Sequence, residues 1–189
     1  MSVLEFLSVS AASEGALATS SMARAQRDLG ARFEERGGWL VPVSIPGEEE
    51  HVATAGIADL SHLSKLEIRP SPAALDSGED AVLYRISPKR ALVFGAASRP
   101  GGKLVLDLTG SLAILAVAGP QAATVIRRLT HLDHFPSGGE VAHITAHILA
   151  PRLETYWIVF PQEYGHYLWE VAVDRAGPLG GGPIGVDAL

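Results

Sequence analysis

Side chains that could perform nucleophilic chemistry occur together in one short segment. Asp59, Ser61 and His62 have the residue types of a hydrolytic triad, but they are neighbours in the sequence. Neighbouring residues of a strand point to opposite faces of a sheet, so adjacency in sequence does not assemble a triad. No serine lies in the Gly-x-Ser-x-Gly turn that exposes a hydrolase nucleophile. The segment therefore does not predict a serine hydrolase.

The seven histidines raise the question of a metal site. His143 and His147 fall in a predicted strand over 141–149, where they share a face but do not converge as they would one turn apart on a helix. A zinc site would have to recruit His131 or His134 from the preceding loop. We expect solvated or structural histidines and no metal.

Glu79 and Asp80 are adjacent carboxylates directly before a predicted strand. An acid at that position could extend into a cleft beside the sheet and act as a general acid or base. A charged turn is the alternative interpretation, and the spacing alone favours it.

The composition predicts one core and excludes several functional classes. The chain has 189 residues, of which 47% are hydrophobic, and its formal charge is −6. Because the basic residues do not cluster in the sequence, nucleic acid is a disfavoured partner. The absence of cysteine excludes disulfides and thiolate sites. No apolar run approaches the roughly 20 residues of a membrane span, and no secretory signal is evident, so we expect a cytoplasmic protein without membrane contact.

The mean hydropathy is +0.20 although only 19% of the residues are charged. A surface with few charges is typical of a chain that is buried against partner subunits. A small domain rich in alanine, glycine and valine would give the same values, so this alternative stays open.

The periodicity of apolar residues predicts an α+β domain. Helices are expected over 22–29, in a short turn that begins at Glu48–Glu50, after Pro120, and over 162–175. Strands are expected over 31–35, 39–45, 65–69, 81–86, 90–94, 103–108, 112–117, 141–149 and 155–160, with a polar loop over 131–139. This order predicts helices packed on a mainly antiparallel sheet, with split β-α-β (ferredoxin-like) elements.

We divide the chain into three parts. Residues 1–20 have no apolar period and are expected to form a flexible or partner-docked arm. Residues 21–176 form a single domain. Residues 177–189 form a tail rich in glycine and proline, for which we expect irregular structure.

The segment Gly56–Ile68 reads Gly-Ile-Ala-Asp-Leu-Ser-His-Leu-Ser-Lys-Leu-Glu-Ile. It resembles the G-x-x-D-x-S-H-M-G-K-L-E-V block of the glycine-cleavage T-protein, or aminomethyltransferase, family. Gly30–Val43, Val82–Ala97 and Ala118–Ala122 resemble further segments of that family. The resemblance extends from about residue 21 to residue 160 and implies the family's folate-binding fold.

The resemblance also implies site residues. Glu79 or Asp80 matches the position of the family's acidic pair that includes the proposed catalytic acid, although the preceding loop is shortened here to 71–78. Leu63, Tyr84 and Arg99 are implied as contacts to tetrahydrofolate. The family's pterin-binding acid has no counterpart where it is expected, because Arg152–Thr155 stands there.

The shortness of the chain, with Asp107–Thr109, Leu132–Pro136 and Phe160–Trp169, makes it most similar to the gamma subunit of heterotetrameric sarcosine oxidase. This similarity implies an accessory subunit of an oxidoreductase complex, without catalytic residues of its own. Its partners would be larger subunits that carry FAD or FMN and oxidise an N-methyl amine. The alternative is a stand-alone tetrahydrofolate-binding protein of one-carbon transfer, in which Asp80 would supply the acid.

Overall fold

Three β-sheets and four α-helices form the part of the chain that the structure, a computed structural model, describes: residues 16–70, 81–98 and 100–189. The strands are β1 (Ala18–Thr19), β2 (Arg32–Arg36), β3 (Trp39–Ser44), β4 (Gly56–Asp59), β5 (Lys65–Arg69), β6 (Val82–Ser87), β7 (Arg90–Phe94), β8 (Leu104–Asp107), β9 (Leu112–Ala118), β10 (Ser137–Val141), β11 (Ile144–Arg152), β12 (Thr155–Pro161) and β13 (Gly182–Pro183). The α-helices are α1 (Ala23–Asp28), α2 (Glu48–Val52), α3 (Ala122–Leu129) and α4 (Gly165–Ala176).

The strands pair mainly in the antiparallel sense, which confirms the predicted α+β class. The central sheet has the order β10-β11-β12-β9-β4-β13, the second sheet has the order β6-β7-β5-β8, and a small sheet has the order β1-β3-β2. Only the pairs β1–β3 and β13–β4 are parallel among the described strands. No helix in the described ranges is long and apolar enough to cross a membrane.

The central sheet is buried on both faces, which explains the continuous apolar run of β9. Ala113, Leu115 and Val117 face the helices α3 and α4, whereas Ile114 and Ala116 face the second sheet. A strand with two buried faces needs apolar residues at every position, because successive side chains alternate between the faces. The result is a layered domain of helices, central sheet and second sheet.

Helix α3 packs on the central sheet through one apolar stripe. Ala122, Val125, Ile126 and Leu129 are buried and recur at the three- and four-residue spacing of a helix face. The helix predicted after Pro120 is thus confirmed. The helices predicted over 22–29, from Glu48 and over 162–175 are confirmed as α1, α2 and α4, the last preceded by a 3-10 turn.

The prediction of one strand over 141–149 after a loop over 131–139 is wrong. Two strands, β10 and β11, form a hairpin whose turn is Ala142 and His143. Both turn residues have positive φ, 46° and 66°, the conformation of a tight hairpin turn that is usually made by asparagine and glycine. Because alanine and histidine are atypical there, the turn could not be predicted from its residue types. His143 therefore lies in a turn and not in a strand.

The irregular structure predicted for 177–189 is also wrong in part. Gly182–Pro183 forms β13 on the edge of the central sheet, and Ile184 is buried beside β4. A short 3-10 helix, Val186–Ala188, follows. Of the arm predicted over 1–20, residues 1–15 lie outside the described residues, and Ala18–Thr19 pairs with β3.

Candidate functional site

A cleft of about 500 Å³ lies where the loop after β4 meets the β11–β12 hairpin and the C-terminal segment. Its volume falls in the range of small-molecule sites. The loop after β4 belongs to the Gly56–Ile68 motif, so part of that motif lies at a concave surface. The lining residues are Arg36, Leu60, His62, Leu63, Ala81, Val82, Gly95, Ala118, Pro151, Arg152, Thr155, Trp157, Val186 and Leu189.

Buried polar residues hold the loop after β4 in place. The carboxylate of Asp59 is buried and accepts hydrogen bonds from the side-chain amide of Gln26, at 3.2 Å, and from the backbone N–H of Ser61, at 2.9 Å. The hydroxyl of Ser61 in turn accepts from the backbone N–H of Ile114, at 3.2 Å. Asp59 and Ser61 are therefore structural groups, and they do not form a nucleophile–base pair with His62.

Lys65 is fully buried and holds the loop after β4 in place. Its Nζ donates hydrogen bonds to the carbonyl oxygens of Ser61, at 2.7 Å, and Leu63, at 2.8 Å, and it lies 5.8 Å from the ring centre of Trp39. Burial lowers the pKa of Lys65 to about 8, although the negative charges of Asp59 and Asp107 oppose this shift. The ammonium group thus fixes the backbone that presents Leu63 to the cleft.

The polar groups of the cleft are mainly cationic. Arg36 and Arg152 line it, and Arg36 forms an ion pair with Asp187 at 2.6 Å. Burial lowers the pKa of His62, so its neutral form is favoured near neutral pH. None of the described residues that line the cleft has a carboxylate side chain. Because Arg36 is already paired with Asp187 and Glu34, Arg152 is the lining cation that could bind an anionic group of a ligand.

The apolar wall of the cleft suits a flat ring system. Trp157 lies in β12 and packs edge-on against Phe94, with ring centres 6.3 Å apart. Leu60, Leu63 and Val186 complete this wall. An aromatic surface beside two arginines could hold an aromatic ring with an acidic tail.

The site residues that the resemblance implied lie in different parts of the molecule. Leu63 lies in the lining of the cleft, and its contact to tetrahydrofolate stays a prediction. Tyr84 is not among the lining residues, because its side chain is buried between the two large sheets. Glu79, Asp80 and Arg99 lie outside the described residues, and so does the shortened loop over 71–78.

Tyr84 instead forms a hydrogen bond with His147. The hydroxyl lies 3.2 Å from Nδ1, and the two rings meet edge-on with centres 5.2 Å apart. Burial lowers the pKa of His147, and the positive charge of Arg90 lowers it further, so the neutral form of the ring is favoured in this contact. Within the described ranges, no group of three or more potential metal-binding side chains is assembled.

Three lining residues were not identified from the sequence: Arg36, Arg152 and Trp157. Arg152 and Trp157 belong to the β11–β12 hairpin of the central sheet, whereas Arg36 ends β2 in the small sheet and is more than 100 residues away in the sequence. The departure noted at Arg152–Thr155 was a partial signal, because Arg152 and Thr155 both line the cleft.

Comparisons with known proteins support the resemblance. No protein-family model matches the chain. It is 35% identical to an aminomethyltransferase of Mycolicibacterium paratuberculosis, in a match that covers 54% of this chain and 40% of that protein. The chain thus spans about 40% of the length of this curated relative. The resemblance to aminomethyltransferases is confirmed at the level of sequence similarity.

Two solved structures have the same fold. One chain of the heterotetrameric sarcosine oxidase of Corynebacterium sp. U-96 matches with a TM-score of 0.59 at 14% identity, over 85% of this chain and 95% of that chain. The glycine cleavage system aminomethyltransferase T of Bartonella henselae matches with a TM-score of 0.65 at 20% identity, over 91% of this chain and 60% of that chain. The shared fold confirms the predicted fold class.

Proposed function

We propose that this chain is an accessory subunit of a heteromeric, flavin-dependent complex of the sarcosine oxidase type. The observation that carries the proposal is the pair of coverages in the structural match to a heterotetrameric sarcosine oxidase. The match includes 95% of that chain and 85% of this one, so nearly all of that chain has a structural counterpart here. Aminomethyltransferase T is matched over only 60% of its length.

The polar groups near the cleft also favour a subunit without its own chemistry. The side chains of Asp59, Ser61 and Lys65 are buried and hydrogen-bond to backbone groups, Asp59 also to Gln26, and none of the three lines the cleft. General acid catalysis requires a proton-transferring group within hydrogen-bond reach of the substrate. The described lining supplies no carboxylate for that role. The flavin, FAD or FMN, would belong to the partner subunits.

The experiment is purification of the tagged full-length chain from its native host, followed by analysis of the assembly. We expect a complex that contains flavin and consumes oxygen when sarcosine is added. A matched preparation with the tag on an unrelated protein controls for carry-over. Recovery of the chain alone, without flavin and without sarcosine-dependent oxygen consumption, would overturn the proposal.

A second candidate function is tetrahydrofolate binding by a stand-alone one-carbon transferase. The observation that favours it is the cleft itself, where Trp157 could stack on a pterin ring and Arg152 could pair with a glutamate tail. Asp80, with Glu79 beside it, would then supply the acid.

Calorimetric titration with tetrahydrofolate tests this second candidate. We expect Arg152→Ala to weaken binding about tenfold or more if the cleft is the site, because a charge-assisted hydrogen bond is lost. Arg24→Ala is the matched control, since Arg24 is exposed and lies outside the cleft lining. Asp80→Ala tests the role of the acid. The absence of heat at millimolar ligand would exclude the folate function and leave the accessory subunit.

A further inference from the structure

A second concave surface lies at one end of the β6-β7-β5-β8 sheet. It is an open depression of about 790 Å³ that is lined by Arg69, Pro70, Ser87, Lys89, Arg90 and Lys103. Four of these six residues are cations, and none of the described lining residues is acidic. This arrangement is unexpected in a chain with a formal charge of −6.

The cations come from three separate elements. Arg69 ends β5, Lys89 and Arg90 belong to the turn and start of the β6–β7 hairpin, and Lys103 directly precedes β8. The chain has three lysines, and Lys65 is buried under the cleft. Both of the remaining lysines are exposed and meet in this one depression. The fold thus concentrates positive charge that the sequence distributes.

A buried carboxylate holds two of the cations in position. Glu67 is only 2% exposed, and its two oxygens accept hydrogen bonds from Arg69 and from Arg90, the latter at 2.8 Å. Burial alone would raise the pKa of Glu67, but these bonds outweigh it and keep the pKa below its usual value. Both carboxylate oxygens of Glu67 are therefore hydrogen-bonded and buried, whereas the side chains of Arg69 and Arg90 remain about half exposed.

An apolar strand edge borders the depression. β8 is an outer strand of its sheet within the described ranges, and Leu104 and Leu106 are 44% and 36% exposed. The register pairs Leu104 with Arg69 and Leu106 with Glu67, so these leucines share a face with the anchored cations. The surface combines positive charge with exposed leucine.

The geometry points to a docking surface for an acidic segment of a partner protein, formed by Arg69, Lys89, Arg90 and Lys103 with the edge strand β8. This inference rests on the proposed accessory function, because it assigns the face that a partner subunit would contact. Carboxylates of the segment would pair with the four cations, and its apolar residues would cover Leu104 and Leu106.

A polynucleotide fits this surface less well. Nucleic-acid surfaces usually carry a longer basic stripe than these four cations provide. A small anion fits less well too, because the depression is wide and open, with no enclosed polar group aimed into it. A short acidic and partly apolar peptide matches both the charge and the leucines.

The test uses a fluorescent peptide, Glu-Leu-Glu-Glu-Leu-Glu, and anisotropy with the full chain at low and physiological salt. We expect binding that weakens as salt rises and that falls about tenfold or more in the Lys89→Glu/Lys103→Glu variant. The matched control is Arg24→Glu/Arg127→Glu, which makes the same charge change at exposed residues elsewhere. Equal binding by the two variants, or tighter binding of a thymidine oligonucleotide than of the peptide, would overturn the inference.

The same variants separate this inference from the proposed function. If the Lys89→Glu/Lys103→Glu chain still enters the flavin-containing complex as the wild type does, the docking surface is wrong and the accessory function stands. If the wild-type chain enters no such complex but binds the peptide at this surface, the accessory function is wrong and the surface stands. Because Lys89 and Lys103 are exposed, the substitutions leave the core intact.

Discussion

The ammonium nitrogen of Lys65 lies 2.7 Å from the carbonyl oxygen of Ser61. This hydrogen bond connects β5 of the second sheet to the loop after β4, which forms part of the cleft wall. A charged group in a fully buried position costs free energy unless it is paired or hydrogen-bonded. Here the second carbonyl, that of Leu63, and the ring of Trp39 contribute to the stabilisation. Lys65 therefore links the shape of the cleft to a titratable group.

We predict that Lys65 titrates with a pKa of about 8 in the folded protein. The measurement is an NMR titration of the lysine side chains labelled at Cε, in which only three signals are present. The Lys65→Met variant identifies the signal, because that signal alone disappears. A Lys65 signal that titrates at the usual lysine value would contradict the buried position.

The same group predicts a pH dependence of stability. Between pH 8 and 10.5 the unfolded chain holds the Lys65 proton and the folded chain does not, so the free energy of unfolding rises with pH. Relative to Lys65→Met, the wild type should gain about 3 kcal/mol across this window. Chemical unfolding at pH 7 and pH 10 measures the difference, and a constant difference would exclude the effect.

The sequence predicted the layers of the fold better than the site. Helix α3 could be predicted because Val125, Ile126 and Leu129 follow a helical period. Strand β9 could be predicted because residues 112–117 are continuously apolar. Leu63 was singled out because it lies inside a specific motif, and its contact to tetrahydrofolate stays a prediction. The distant wall of the cleft could not be predicted, because it depends on how the small sheet that contains β2 packs beside the central sheet that contains β12.

Lys89 and Lys103 also show that a surface formed by residues distant in the sequence could not be predicted from the sequence. In the sequence they are separated by a strand and a glycine-containing loop, and no local pattern connects them. They meet because β7 and β8 both pair with β5. A cluster that depends on non-local strand pairing has no local signature, so a search for basic runs does not detect it.

Protonation of His147 should weaken the contact between the two large sheets. Because burial lowers the pKa of His147 below 6.5, the unfolded chain binds this proton first as the pH falls, and stability is lost below pH 6.5. The His147→Asn variant can still accept the Tyr84 hydroxyl but does not titrate, so its unfolding free energy should fall less between pH 7 and pH 5. His166→Asn, at an exposed position of α4, is the control and should behave as the wild type does.

Removal of the Glu67 charge should destabilise the second sheet. Glu67→Gln leaves Arg69 and Arg90 without their shared carboxylate, and we expect a loss of about 1–2 kcal/mol at pH 7, since both arginines can turn to water. The pKa of Glu67 is lowered in the folded chain. The stabilisation by its two ion pairs is therefore fully present above the ordinary glutamate pKa, and it is lost as the pH falls through the lowered pKa of the folded chain. Urea unfolding at pH 7 and pH 3, with Glu35→Gln as the exposed control, measures both effects.

Gly185 allows the C-terminal segment to reach the cleft. A Cβ at this position would lie 2.2 Å from the carbonyl oxygen of Val43, which is backbone and cannot turn aside. The backbone N–H of Gly185 also donates a hydrogen bond to Glu48 Oε2 at 2.7 Å, and the same oxygen accepts the backbone N–H of Ile45 at 2.9 Å. Any shift that relieves the overlap therefore strains this bond and moves Val186 in the cleft wall.

Gly185→Ala should lower the free energy of unfolding by about 2–3 kcal/mol, in the range of overpacked cores. It should also expose the segment that follows β13 to limited proteolysis, because the hydrogen bond to Glu48 no longer holds its start. Gly110→Ala is the matched control, since a Cβ there meets nothing within 4 Å. Thermal unfolding and proteolysis of the two variants measure the effect. Equal stability of both variants would show that Gly185 is not tightly packed, and the C-terminal segment would then have no fixed place in the cleft.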